Sequence, residues 1–214
     1  WDSVQPLKIV THHWSSHENK GFDVYQEINE LISEERWKNK IEFTYIGNMN
    51  NKFKLNNTKL ISPLAGDELA VELKKNHLYV TGSINEPSGN HHIEAAQCGL
   101  PILFRNSGGI PEYCKGYGIS FDDNFEEALY EVYDNYDLYV EKLLSYPFNS
   151  KKMCKDFLNL FERLLEQKIE INQKKYFFMS YYIIFKNKYI SIIRSFSLFQ
   201  VKNKLIDLIR KTNK

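Results

Sequence analysis

Over its first 122 residues the chain alternates two hydrophobic patterns. Short apolar or β-branched runs at Leu7–Thr11, Ile41–Ile46, Lys59–Ser62, His77–Thr81, Pro101–Phe104 and Tyr117–Phe121 predict strands. Between them, helical spacing predicts a helix over Phe22–Trp37, with Val24, Ile28, Leu31 and Ile32 as its apolar positions. A second is predicted over Gly66–Lys75, with acids early and lysines late as the helix dipole favours, and a third over Asn90–Cys98. Strands separated by such helices predict an α/β, Rossmann-like parallel sheet with helices on both faces. Ligands bind such sheets at the carboxyl ends of the strands, so chemistry is sought in the loops after Thr11, Ile46, Thr81 and Phe104. Beyond Asp123 the pattern is helical throughout. One helix is predicted over Phe125–Leu144, stopped by Pro147, and another over Ser150–Ile169 with Met153, Phe157, Leu160, Leu164 and Lys168 along one side. The expected organisation is a sheet domain over 1–147 and a helical extension over 148–214.

Composition narrows the class. A chain of 214 residues, 43% hydrophobic, suffices for one domain plus an appendage, and 26% charged residues rule out a disordered chain. Three cysteines without CxxC spacing fit neither a disulfide framework nor a zinc ribbon, so a reducing, cytoplasmic setting is expected. The sequence opens on Trp1 without a leader pattern and reads as a fragment of a longer product. Charge is unevenly spread: 17 Lys and Arg stand against 25 Asp and Glu up to residue 167, and 11 against 2 beyond it. All 10 glycines fall between Gly21 and Gly118, which places the turn-rich chain before the helix-rich one.

The most informative segment is Thr81–Pro101, TGSINEPSGNHHIEAAQCGLP. Its order is strand, loop, then a helix whose first turn holds Asn90, His91 and His92. A helix start entered through glycine offers unpaired N–H groups to an anion, and Gly89 permits close approach. Glu86 in the loop and Glu94 in the helix can face one crevice, where carboxylates accept paired hydrogen bonds from vicinal diols. A pair of glutamates at this spacing is by itself more often solvated surface, and Lys20 a surface lysine; the strand-to-helix junction is what favours function. The six histidines invite a metal, because five of them fall in two converging loops. Neighbouring histidines point apart on a strand or helix, however, so no metal is expected, and His77 reads as structural. Cys98 reads as a small buried filler. Glu112 suits either the start of a short helix or contact with a ligand. An NAD-binding domain is disfavoured because HHWSSHENKG, not GxGxxG, follows the first strand.

Glu86 and Glu94 form an E-x7-E pattern, and EPSGNHHIEAAQCGLP followed by NSGGIPEYC resembles the carboxyl-terminal, donor-binding half of retaining GT-B glycosyltransferases of the family 4 type. KIVTHHWSSHENKGFDVY, with its Lys20-Gly21 pair, FTYIGN and SPLAGDELAVELKKNHLYVTGS are similar to earlier segments of that half, so the likeness spans roughly residues 7 to 145. The resemblance implies transfer of a sugar from a nucleotide diphosphate sugar to a polysaccharide or glycolipid acceptor, without a metal or other cofactor. It implies that Glu86 contacts the donor sugar and Glu94 the ribose, that Gly89, Asn90 and His91 line the sugar and diphosphate, and that Lys20 neutralises the leaving diphosphate. Where many members carry an arginine before that lysine, this chain has Trp14. His13, Ser15 or Arg105 is then expected to share the phosphate, with Gly47 and Asn48 at the end of the second strand also lining the donor site. The amino-terminal half of the GT-B fold is the implied partner. A nucleotide-sugar epimerase of the same plan and a non-catalytic donor-binding subunit are the alternatives. The basic, aromatic stretch 174–214 suits either a peripheral helix at an anionic membrane surface or a helix packed on the missing half. Its apolar run Tyr176–Phe185 is too short to cross a bilayer, and the acidic body disfavours nucleic acid.

Overall fold

The computed structural model describes residues 1–166 and 182–187. Six strands, β1 (Leu7–His13), β2 (Ile41–Gly47), β3 (Lys59–Ile61), β4 (Leu78–Thr81), β5 (Ile102–Arg105) and β6 (Gly118–Phe121), form one all-parallel sheet in the order β3-β2-β1-β4-β5-β6. The chain order reverses between β1 and β4. At such a point neighbouring strands send their following helices to opposite faces and leave a crevice at their carboxyl ends.

The helices are α1 (Phe22–Leu31), α2 (Gly66–Leu73), α3 (His91–Gln97), α4 (Ile110–Cys114), α5 (Phe125–Asp134), α6 (Tyr136–Leu143) and α7 (Ser150–Glu166). Two buried clusters cover the two faces. Ile9, Phe22, Tyr25, Ile28, Tyr45 and Leu129 belong to the first, and Val10, Leu73, Tyr79, Ala95, Ile102 and Ile110 to the second. Ile9 and Val10 are adjacent in β1 yet lie in different clusters, which is the period of two expected of a strand buried on both sides.

Several boundaries differ from the periodic reading, and each has a local cause. β1 runs two residues past Thr11, because His12 and His13 continue the ladder against Ile46 and Gly47. α1 ends at Leu31, and the chain turns through residues 32–40 so that Trp37 is fully buried, donating from Nε1 to Glu126 Oε1 at 2.7 Å. The helix predicted over Phe125–Leu144 is two helices broken at Asn135, where φ −120° and ψ 29° leave helical geometry. The Gly108-Gly109-Ile110-Pro111 turn opens directly into α4, with Pro111 in the first turn where its missing N–H costs nothing.

The chain divides into two units, Trp1–Phe157 and Leu158–Lys214. The readings made for 174–214 and for the end of the Ser150–Ile169 helix fall largely outside the described residues. Among the described residues, no helix is long and apolar enough to cross a membrane.

Candidate functional site

The site is assembled by contact between the loops that follow β1 and β4. Gly21 closes the first loop at φ +89°, and a Cβ there would stand 2.3 Å from the carbonyl carbon of Gly82. Only glycine allows the two backbones to meet. Ile84 N donates to Asn19 O at 2.7 Å across the same junction. Beneath it, the buried Tyr25 hydroxyl lies 2.6 Å from His13 Nε2 and 3.2 Å from Thr11 Oγ1, and accepts from Gly82 N at 3.3 Å. Lys20, at the end of the first loop, thereby reaches Glu86 in the second, with Nζ 2.5 Å from Oε2.

The Glu86 loop is braced from its other side. Gly109 N donates to Glu86 O at 2.8 Å, and Asn85 N to Ser107 Oγ at 2.9 Å. Side chains at Gly108 or Gly109 would collide with Glu86 O at 2.5 Å or Pro87 O at 2.3 Å. The NSGGIPEYC segment therefore serves as a buttress that fixes Glu86, a role its sequence pattern does not reveal. Glu112 within it is exposed in the first turn of α4.

Glu94 projects from α3, its side chain half exposed, and accepts from His12 Nε2 at 2.9 Å. That hydrogen bond holds its carboxyl below the usual range, against the opposing effect of partial burial. α3 makes its bond from Glu94 N to Asn90 O at 2.8 Å, so the amides of His91, His92 and Ile93 precede the point where intrahelical pairing starts. Glu86, Glu94, Lys20, the partly buried Gly89 and the exposed Asn90 thus cluster at the carboxyl ends of β1 and β4.

Other predicted site residues are engaged within the protein. His13 is buried against Tyr25, because the added length of β1 turns it toward the α1 face, and burial pushes its pKa well below the usual 6.5. His91 is buried with Nε2 3.0 Å from Thr81 Oγ1, and is likewise pushed down. Arg105 forms an ion pair with Asp23 of α1, so Lys20 is the cation brought to Glu86. Asn48 Nδ2 donates to Trp14 O at 2.5 Å, and Ser15 Oγ accepts from His17 N at 3.2 Å; both shape the first loop. Gly47, at φ +149°, lies against the His13 carbonyl, where a Cβ would sit 2.0 Å away. His77 is structural: its Nδ1 accepts from Lys8 N at 3.0 Å and its carbonyl from Tyr136 OH at 3.0 Å. Among the described residues, no group of three or more His, Cys, Asp or Glu is arranged to hold a metal ion.

Sequence reasoning singled out neither His12 nor Tyr25 for the site. The signal for His12 was available: alternation along a strand continued to His13 puts it on the same face as Val10, toward α3.

The family model described as glycosyl transferases group 1 matches residues 38–153. A probable sucrose-phosphate synthase from Thermosipho melanesiensis is 30% identical over 97 residues, covering 42% of this chain and 23% of that protein. Among solved structures, sucrose-phosphate synthase from Thermosynechococcus elongatus aligns with a TM-score of 0.58 at 15% identity, over 78% of this chain and 47% of that one. The catalytic domain of starch synthase IV from Arabidopsis thaliana, bound to ADP and acarbose, aligns with a TM-score of 0.56 at 18% identity, over 78% of this chain and 40% of that one. These structural likenesses establish a common fold. The chain spans 23% of the curated relative and less than half of each solved structure.

Proposed function

The chain belongs to the glycosyl transferases group 1 family, and from that premise we propose that it is the donor-binding half of a GT-B enzyme of the retaining, family 4 type. In this reading it carries a hexosyl group from a nucleotide diphosphate sugar to a polysaccharide or glycolipid acceptor, at the cytoplasmic face of a membrane. The observation that carries the proposal is the convergence of Lys20, Glu86 and Glu94 at the reversal point of the sheet. An ammonium paired with one carboxylate, and a second carboxylate at the same end of the sheet, match a ligand with a diphosphate at its centre and hydroxyl-bearing rings at both ends. The ADP recorded with the starch synthase of the same fold supports a nucleoside diphosphate as the leaving group.

Each residue then has a task. Glu94 accepts from the ribose hydroxyls through the part of its carboxylate that His12 leaves open. Glu86, one oxygen of which faces Lys20, offers the other to hydroxyls of the transferred sugar. Lys20 and the leading amides of α3 meet the charge that grows on the diphosphate as its bond to the sugar breaks. Preorganised positive potential of this kind is the main catalytic contribution such a site can make, and it needs no metal. The acceptor and the remaining catalytic groups are assigned to the amino-terminal half.

Thermal unfolding tests the reading. UDP-, GDP- and ADP-glucose are each added to the chain, and one of them raises its Tm. Glu94→Ala sharply reduces that rise, each protein being compared with its own ligand-free Tm because the substitution also removes the acceptor of His12 Nε2. Equal protection of parent and variant would remove Glu94 from the ribose.

A further inference from the structure

The strand–helix pair formed by His12 and Glu94 carries a further assignment, which rests on the ribose role proposed for Glu94. His12 lies near the carboxyl end of β1 and Glu94 in the first turn of α3, 82 residues apart in the chain, on two elements that flank the reversal point. The carboxylate has half its side chain in solvent, whereas the imidazole is 8% exposed. The anchor is therefore rigid and the anchored group is the one available to a ligand. The ring is also packed against aromatic neighbours. Its edge packs on Tyr79 at 5.5 Å between centroids and on His91 at 6.3 Å, and its own backbone N–H points to the Tyr79 hydroxyl at 3.4 Å.

The tautomer follows from the partners. His12 Nδ1 is buried and has no hydrogen-bond partner. A proton there would be an unpaired buried donor, which costs more than an unused lone pair with some freedom to adapt. The proton belongs on Nε2, where it is donated to Glu94 Oε2 at 2.9 Å. Oε2 is thus pinned from the protein side, and Oε1 lies outside that bond on a side chain that is half exposed. A glutamate in a first helical turn has several rotamers open to it otherwise, and freezing them on ligand binding would weaken the grip.

We infer that His12 is a positioning residue for the nucleotide ribose: its Nε2–H holds the Glu94 carboxylate in the orientation that receives the 2′- and 3′-hydroxyls. His12 itself touches no ligand in this assignment. Its effect should therefore appear only when the ribose hydroxyls are present and only when Glu94 is there to be held.

Calorimetric titration of the full chain with UDP, GDP and ADP identifies the diphosphate that binds most tightly, and its 2′,3′-dideoxy counterpart serves as the paired probe. His12→Ala is expected to weaken the ribonucleotide by roughly three- to tenfold, the scale of releasing one rotamer-rich side chain. It should leave the dideoxy form unchanged. His12→Gln, whose amide nitrogen can reach the place of Nε2, should restore most of the loss. In a Glu94→Ala background His12→Ala should have no further effect. Where His12→Ala does not fold, His12→Leu keeps the volume and gives the same comparison. Equal losses for the ribo and dideoxy forms, or additive losses in the double variant, would reduce His12 to a packing residue and overturn the inference while leaving Glu94 its role. If Glu94→Ala binds both forms as the parent does, or if no nucleoside diphosphate binds the parent, the ribose assignment falls and takes this inference with it.

Discussion

His92 is fully buried in the first turn of α3, and neither of its ring nitrogens has a hydrogen-bond partner. Burial pushes its pKa from 6.5 down to about 4, despite the upward pull of Glu86 and Glu94. Between those two values the unfolded chain holds a proton that the folded chain refuses, so stability falls as pH falls through that window and levels off below it. Buried His13 and His91 act in the same direction. His12 holds the Glu94 carboxyl below its ordinary 4.5, so that contribution is present above 4.5 and is lost as pH falls below it, in the same direction as the histidines. The ligand-free Tm is therefore expected to decline from pH 6.5 toward 4, and His92→Leu to flatten that decline. Calorimetric scans of parent and variant across the range would contradict the account if the two slopes coincided. At this scale the sequence displayed the carboxylates and the lysine clearly. It did not show which histidines are solvent-facing, because burial depends on neighbours from other segments.

Among the elements, the irregular stretch between α1 and β2 illustrates how tertiary contact overrides periodicity. Residues 22–37 carry enough helical spacing to suggest one helix, yet the chain leaves α1 after Leu31. Docking Trp37 on α5 is the reason. Its ring lies 4.3 Å from that of Tyr130 and 5.8 Å from that of Tyr133, and its indole N–H reaches Glu126. A fully buried tryptophan with a satisfied donor outweighs the roughly two turns of helix forgone. Trp37→Ala should cost about 3–5 kcal/mol, and Trp37→Phe clearly less. Urea unfolding at constant slope measures both, and an unchanged midpoint for Trp37→Ala would show that the contact contributes little. The strands were legible to within two residues because β-branched runs bounded by turn residues admit few alternatives. Helix ends were less so, since caps and docking contacts set them.

For the molecule as a whole, the match over residues 38–153 and the shared fold account for the sheet domain, while the chain covers only part of its relatives. The proposed division of labour gives a sharp expectation. The 214-residue chain should bind the donor diphosphate but transfer no sugar to added acceptors, because the proposed reading assigns the opposing wall of the cleft to the other half of a GT-B enzyme. A product assay on this chain alone checks it. Turnover at a rate typical of such enzymes would show that one half suffices.

Hydrophobic period, turn residues and charge, all local properties of the chain, determined the parallel α/β class, the loops in which to look, and the acidic pair Glu86 and Glu94. Strand order was decided only in three dimensions, and with it came everything that depends on which segments meet: the Gly21–Gly82 contact, the reach of Lys20 to Glu86, and the brace behind that loop. The same holds for His12. A histidine in a strand becomes the anchor of a carboxylate 82 residues away only because β1 and β4 are neighbours and side chains alternate across the sheet between them.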